Sequence, residues 1–567
     1  MLVLLLIPFL LAAQPPDLIL HNAKIVTVDP QFHIAQAIAI RGDRIAAVGS
    51  NPTILRLRGP NTQVHDLKGK TVLPGLIDSH THALDASLYE FDHEIPGMAT
   101  VADVLAHVRQ RAAIVPEGEW IILRQVFITR LKEQRYPTRA ELDQAAPKHP
   151  VIFYTGPDAS LNTLALTRNK ITKDTKAFPG QYGKIELDAN GQPTGIIRTH
   201  AAFIPPITTG RRPTREDRMA RLKLMMADYN SIGITSFTDR AATPSHIDIY
   251  RQLHKDNQLT CRIFLDYHLT EPNKQWVDIE AEFDSAANDP LHKYDNMLWL
   301  RGVKVFLDGG MLTGSALMRE PWGKSDIYSI TDPEYRGMRY INTERLYELA
   351  KASLERDLQF TAHSVGDGAI HALIDAYERV NKDFPVKDAR PCITHCNFMS
   401  PEAIERMAKI GIVADMQPAW LELDGATLAR QFGLPRLRFF QPYATLFKSN
   451  VTVGGGSDHM QKIGSMRSIN PYNPFWGMWI TVARLPRNSD APLHPQEKLT
   501  REQAIRFYTM NNAFLSFEEK QKGSLESGKL ADLIVIDRDI LRCPESEIKD
   551  IRVETTYLGG RPVYQRK

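Results

Sequence analysis

Through the middle of the chain, short apolar runs that read as strands alternate with amphipathic segments that read as helices. TREDRMARLKLMMADYNSIG runs into ITSFTD, and TERLYELAKASLERDL runs into QFTAHS. Such alternation predicts βαβ units and an α/β fold with a parallel sheet. Right-handed crossovers then lead either to a closed barrel or to an open doubly wound sheet. No G-x-G-x-x-G follows a strand, which weighs against the open sheet. GVKVFLDGG and VTVGGGSDH are glycine-rich but lack the Lys-Ser/Thr of a phosphate-binding loop. Helix starts are capped in the expected way. Ser400 precedes Pro401 at a first helical position, and Thr500 with Gln503 makes a capping box.

The two ends have another texture. DLILHNAKIVTVDP, HIAQAIAIRGDRIAAVGS and TQVHDLKGKTVLP are short alternating or β-branched runs, punctuated by Gly42-Asp43 and Gly49. They read as an antiparallel β-unit, and KLADLIVIDRD, IRVETTYLGG and RPVYQRK repeat the pattern at the other end. The expectation is a small β-domain assembled from residues 17–73 and 516–567 around an α/β unit over residues 74–515. Within that unit, Asn190-Gly191 signals a hairpin, and residues 460–498 read as a long loop rich in Pro, Asn and Trp.

MLVLLLIPFLLAAQPPD opens the chain with an apolar run of signal-peptide length, too short to span a bilayer. Ala12 and Ala13 offer a cleavage point, so residues 1–13 read as a signal peptide and the protein as exported, periplasmic or secreted. The run lacks a leading Lys or Arg, and Leu11 stands where a small residue is preferred. An uncleaved anchor, or a misassigned start with a cytoplasmic protein, therefore stays open. No later stretch reads as a transmembrane helix.

Apolar residues make up 43% and charged residues 24% of the chain, as in ordinary globular proteins. The net charge of +3 is mixed along the chain, which argues against nucleic acid or an anionic membrane as partner. The expected partner is a small-molecule substrate, and a homodimer is compatible with the sequence. Four cysteines form neither a disulfide framework nor a metal pattern, and Cys392 and Cys396, flanking His395, read as packing residues.

Several strand-like runs end on residues that bind divalent metals. His80 and His82 close TVLPGLIDSHTH; at spacing i, i+2 on a strand both rings point to one face. Asp78 shares their parity and reads as a group that orients a ligand, or as a plain strand-end polar residue. Lys304 lies among Val303, Val305, Phe306 and Leu307, where an ammonium is costly unless paired. It either reaches out of the strand or carries a carbamate formed with carbon dioxide, an anion that two metals can share. His363 and His395 end later runs, each ahead of a helix, and Asp367 reads as a helix cap. Asp458 ends VTVGGGSD, where a carboxylate can bind metal and also take a proton from water. His459 beside it should point elsewhere.

Taken together, GLIDSHTH, the strand lysine, the two single histidines and the late aspartate resemble the amidohydrolase superfamily. KGSLESGKLADLIVIDRD resembles its closing segment, and VKVFLDGGMLTGSALM, HSVGDGAIHAL and ADMQPAW resemble its amidohydrolase-3 branch of formamide-deformylase-like enzymes. The resemblance covers roughly residues 17–563. It implies a distorted TIM (β/α)8 barrel beside a β-sandwich built from both termini. It also implies one or two divalent metals, zinc by default, held by His80, His82, a carboxylated Lys304, His363, His395 and Asp458. Gln417 matches a polar residue of the branch's Q-P motif and would face the substrate. Two places depart from the branch: Asp158 in GPDASLNTLAL stands where a histidine is usual and would help orient the substrate, and Thr394 stands where a glutamate is frequent. The leading expectation is hydrolysis of a non-peptide C–N bond, most simply an amide, with Asp458 as general base. The same site could instead cleave an ester or lactone or catalyse an isomerisation. A metal-containing binding protein without catalysis is the third reading.

Overall fold

The structure is a computed structural model that describes residues 14–567; the signal-peptide expectation for residues 1–13 lies outside the described residues. Eight parallel strands follow one another around a single sheet in chain order. They are β1 (Leu76–Thr81), β2 (Ile234–Ala242), β3 (Arg262–His268), β4 (Leu298–Phe306), β5 (Gln359–Ser364), β6 (Cys392–His395), β7 (Val413–Met416) and β8 (Val453–Gly455). Helices connect most of them, so the sheet curls and is buried on both faces. This is the expected barrel, distorted by register shifts between β1 and β2, β2 and β3, and β3 and β4.

The seam closes where β8 returns to β1. Asp458 N donates to His80 O at 2.9 Å, and His82 N donates to His459 O at 2.8 Å. Glycine makes this approach possible, because a Cβ on Gly456 would sit 2.7 Å from both His80 Cβ and His80 N. The closing seam thus carries three of the expected metal ligands on adjacent strand ends. That is the C-terminal face, where barrels of this architecture hold their sites.

The termini build two further sheets. Leu18–His21, Ala37–Arg41, Arg44–Gly49 and Gln63–Asp66 form one. In the other, Lys24–Val26, Ile34–Ala35 and Thr71–Pro74 join Leu533–Ile536, Val553–Leu558 and Arg561–Gln565. Leu20 and Ile38 from the first sheet pack with Val72, Leu533 and Tyr557 from the second, giving one apolar layer between them.

Two features differ from the expectations. Between β1 and β2 the chain inserts a five-stranded sheet of Ile121–Leu123, Val151–Thr155, Asp158–Leu161, Lys184–Leu187 and Pro193–Arg198. The Asn190-Gly191 signal marks the turn of its last hairpin, with Gly191 at φ 73°. Val126, Phe127 and Phe153 of this insertion pack with Met311 and Leu312 from the loop after β4 and with Trp420 at the start of the helix Ala419–Phe432 after β7. It therefore forms a wall over the barrel mouth. The second difference lies in residues 460–498, which contain the helix Pro474–Ala483 rather than a continuous loop. Only Trp479 of that helix is not fully buried, so no amphipathic period exists to be read.

Candidate metal centre

β1, β4, β5, β6 and the segment after β8 place His80, His82, Lys304, His363, His395 and Asp458 on one cavity of about 410 Å³. Three of their ligand atoms fall together: His80, His82 and Asp458 each offer one within 4.8 Å of the others. Asp458 Oδ1 is 3.4 Å from His80 Nε2 and 3.2 Å from His82 Nε2. The ring of His395 lies 5.1 Å from that of His80 and 4.4 Å from that of His363. His395 and Asp458 hold left-handed backbones at φ 86° and 52°. Such conformations cost a non-glycine residue and collect at functional sites.

The donor set fits a divalent metal. His80 Nδ1 is engaged by Asp415 Oδ2 at 2.9 Å, and its buried Nε2 makes no hydrogen bond among the described residues. His395 Nδ1 donates to Gln417 Oε1 at 2.7 Å. Each ring therefore keeps the other nitrogen as a lone pair, the form that ligates metal. Burial first, then neighbouring positive charge, holds His80 and His395 well below the usual imidazole range. Burial and the Lys304 charge bring His363 down to about 3. Burial raises the Asp458 carboxyl, although the hydrogen bond from His82 opposes it. Lys304 is fully buried, and its Nζ meets no hydrogen-bond partner among the described residues. Burial lowers its ammonium to about 8.

Asp415 is a residue that sequence reasoning missed. It sits on β7 at 0% exposure, takes Ser79 Oγ at 2.6 Å and Gln417 Nε2 at 3.2 Å, and lies 3.4 Å from Arg240 Nε. Arg240 in turn donates to Asp266 Oδ2 at 2.8 Å and to Ser79 O at 2.9 Å. A carboxylate fixed on several sides holds the His80 ring in a single orientation. The signal available was the lone acid in the apolar VADM run. Asp78 does not have that role: its Oδ1 accepts from the backbone N–H groups of His80 and Ser457, both at 3.0 Å, and so staples the seam. His459 does point elsewhere, toward the hydroxyl of Tyr229 and the carbonyls of Gln461 and Lys462.

Two placements correct the sequence reading. Asp158 does not line the cavity. It is fully buried in the inserted sheet, 3.2 Å from Arg198 Nη1, and accepts from Thr199 N at 2.9 Å. Its neighbours Gly156 and Pro157 are what reach the cavity wall. Gln417 lies behind the histidines rather than against the cavity, and bridges His395 to Asp415. A buried arginine claims the first, and an unpaired imidazole N–H claims the second. Other lining residues not anticipated are Gln125, His268, Tyr340 and Trp420, the last with its ring 4.8 Å from that of His395.

Comparison with known proteins agrees with this picture. A family profile described as the amidohydrolase family matches residues 63–564. The chain is 28% identical over 569 residues to an N-substituted formamide deformylase from Arthrobacter pascens, covering 98% of this chain and 99% of that one. Among solved structures, a metal-dependent hydrolase from Pyrococcus horikoshii OT3 superposes with a TM-score of 0.67 at 21% identity, covering 93% of this chain and 99% of the other. An atrazine chlorohydrolase from Arthrobacter aurescens TC1, solved with zinc, gives 0.53 at 16% identity over 97% and 95% of the two chains.

Proposed function

The chain belongs to the amidohydrolase family, and from that premise we propose that it hydrolyses an amide, a non-peptide carbon–nitrogen bond, at a divalent-metal centre. The observation that carries this reading is the meeting of His80, His82 and Asp458 at the closing seam of the barrel, on the cavity that Lys304, His363 and His395 also line. Histidine nitrogens with carboxylate oxygen suit zinc, and the relative solved with zinc supports that choice. A bound divalent ion would acidify water toward neutrality and polarise the carbonyl of the substrate.

The remaining chemistry falls to the residues of the chain. Asp458 accepts the proton of the attacking water and returns it to the nitrogen of the leaving amine. Asp415 and Gln417 hold His80 and His395 in their ligating orientation. Lys304, buried and unpartnered, is the residue suited to carry a carbamate. Its neutral amine would form a bond to the carbon of CO2 and release one proton, giving an anionic ligand that two ions can share. Incorporation of 13C-labelled bicarbonate into the metal-loaded protein, and its loss in Lys304→Met, would report that group. The leader supports export; a mature N-terminus beginning near residue 14 would establish a cleaved leader, and recovery of the protein only from the cytoplasm would refute export.

The proposal is tested by assaying amides, esters and lactones with metal-loaded and chelator-treated enzyme. Amide turnover that disappears on chelation and returns with zinc is expected. Amide turnover indifferent to chelation would overturn it.

A further inference from the structure

Outside the metal ligands, the cavity wall contains polar atoms that the protein leaves without partners. Gln125 lies just past the Ile121–Leu123 strand of the inserted sheet and lines the cavity. Its Oε1 is buried and receives no hydrogen bond among the described residues. Its backbone is left-handed at φ 54°, a conformation that persists in a non-glycine residue only when the surroundings enforce it. Its carbonyl is held as well: Gln461 Nε2 donates to Gln125 O at 2.9 Å. Gln461 follows Asp458 by three positions, so the segment that carries the proposed base also fixes Gln125.

The wall around this amide offers Oε1 nothing. Phe127, Phe306, Met311, Leu312 and Val365 make its apolar part. Among the fully buried lining atoms outside the metal set, the indole N–H of Trp420, a donor, and the hydroxyl of Tyr340 also lack a partner among the described residues. A ligand that satisfies this wall brings an N–H for Gln125 and an acceptor oxygen for Tyr340 or Trp420. That pairing describes an amide bearing an N–H. An ester or a lactone has no N–H to give, and neither does an N-alkylated tertiary amide.

We propose that Gln125 Oε1 accepts a hydrogen bond from the N–H of the substrate amide, and that the site thereby selects N–H amides over esters and tertiary amides. The proposal deepens the hydrolase reading and rests on it. Gln125 is a specificity-determining residue that touches substrate; Asp458 and the histidines would act alike on all three substrate types.

The test crosses enzyme variants with substrates. Wild type, Gln125→Leu and Gln125→Glu are each loaded with zinc, checked for metal content and thermal melting, and assayed on an anilide, its N-methyl anilide and the phenyl ester of the same acid. Gln125→Leu should lower kcat/KM for the anilide by about 10- to 100-fold, the usual effect of leaving a buried polar partner unpaired. Its rates on the N-methyl anilide and the ester should fall far less or rise, so that the advantage of the anilide over both collapses. Gln125→Glu keeps an acceptor and should preserve the advantage of the anilide over its N-methyl analogue, even if Gln125→Leu proves unstable. Equal losses on all three substrates, or no loss on the anilide, would overturn the proposal while leaving metal-dependent hydrolysis intact. Wild-type amide turnover that ignores chelation would instead remove the reading beneath it.

Discussion

The floor of the cavity and its wall are built on different principles. The floor is made of barrel strand ends whose polar atoms are engaged behind the surface. His80 rests on Asp415, Asp415 on Ser79 and Arg240, and Arg240 on Asp266, with all five residues buried. The ligand atoms are left to face the cavity. The wall comes from the inserted sheet and the segments after β4, β5, β7 and β8. It is mainly apolar and leaves a few polar atoms unpartnered at the cavity itself. Parallel strands hydrogen-bonded edge to edge hold the floor rigidly, which reactions at a metal need. The floor therefore determines the class of reaction, and the wall determines what is admitted.

Variants in the two regions should separate along that line. The largest effect is expected from Asp458→Asn, which keeps the shape of the floor but removes the proton acceptor. Steady-state assays should show kcat lower by about 10²- to 10⁴-fold on every substrate, with melting unchanged. Full turnover by this variant would mean that the base lies elsewhere. Next comes the wall's own anchor, Arg198, which is buried at 0% exposure against Asp158, Glu186 and the carbonyls of Thr313 and Tyr328. Arg198→Met strands a buried carboxylate and should lower stability by about 3–5 kcal/mol in denaturant titration. Zinc bound per folded molecule should not change. A normal melting curve would show that the wall does not depend on this pair.

A smaller loss is expected when a floor residue that holds a ligand without itself reaching the metal is removed. Asp415→Ala should weaken zinc binding by about 10- to 100-fold in competition with a chromogenic chelator, because His80 is no longer held in one orientation. Unchanged affinity would reduce Asp415 to a packing residue. The smallest effect belongs to the rim of the insertion, where the hydrogen bond and charge of Arg135 lower the Glu141 carboxyl from 4.5 to about 2. A depressed carboxyl stabilises the fold above its unfolded value and loses that contribution as pH falls. Melting followed from pH 5 down to 2 should thus show Glu141→Gln converging on wild type. The gap at pH 5 should be about 1 kcal/mol or less, since the pair is partly solvated. A gap that widened on acidification would reverse the sign.

Much of the floor was legible in the sequence because a strand end writes its ligand directly after an apolar run. TVLPGLIDSHTH, QFTAHS, CITH and VTVGGGSD all have that form, and each one ends at the cavity. The terminal sheets were legible for a similar reason, since alternation survives in strands with one face buried. The wall was not legible. Ile121–Leu123 is too short to show a period, and the inserted sheet exists through pairings such as Ala159 with Ile197 that only the fold creates. The same antiparallel pairing brings Arg198 to Asp158 across 40 positions and turns an expected substrate contact into an internal ion pair. Gln417 was misplaced and Asp415 missed because a polar residue on or just past a buried strand shows its chemistry to whichever side the pleat turns it. Family position identified Gln417 without telling which side that was. Gln125 had no signal at all beyond standing next to an apolar strand.

The central claim is that the seam between β1 and β8 is a metal centre. Metal content of purified protein, measured by mass spectrometry after reconstitution with zinc and gel filtration, tests it most directly when wild type is compared with the His80→Ala/His82→Ala double variant. The account predicts stoichiometric zinc in wild type and its loss in the variant, with circular dichroism the same in both. Equal zinc in the two proteins, or none in folded wild type, would contradict it.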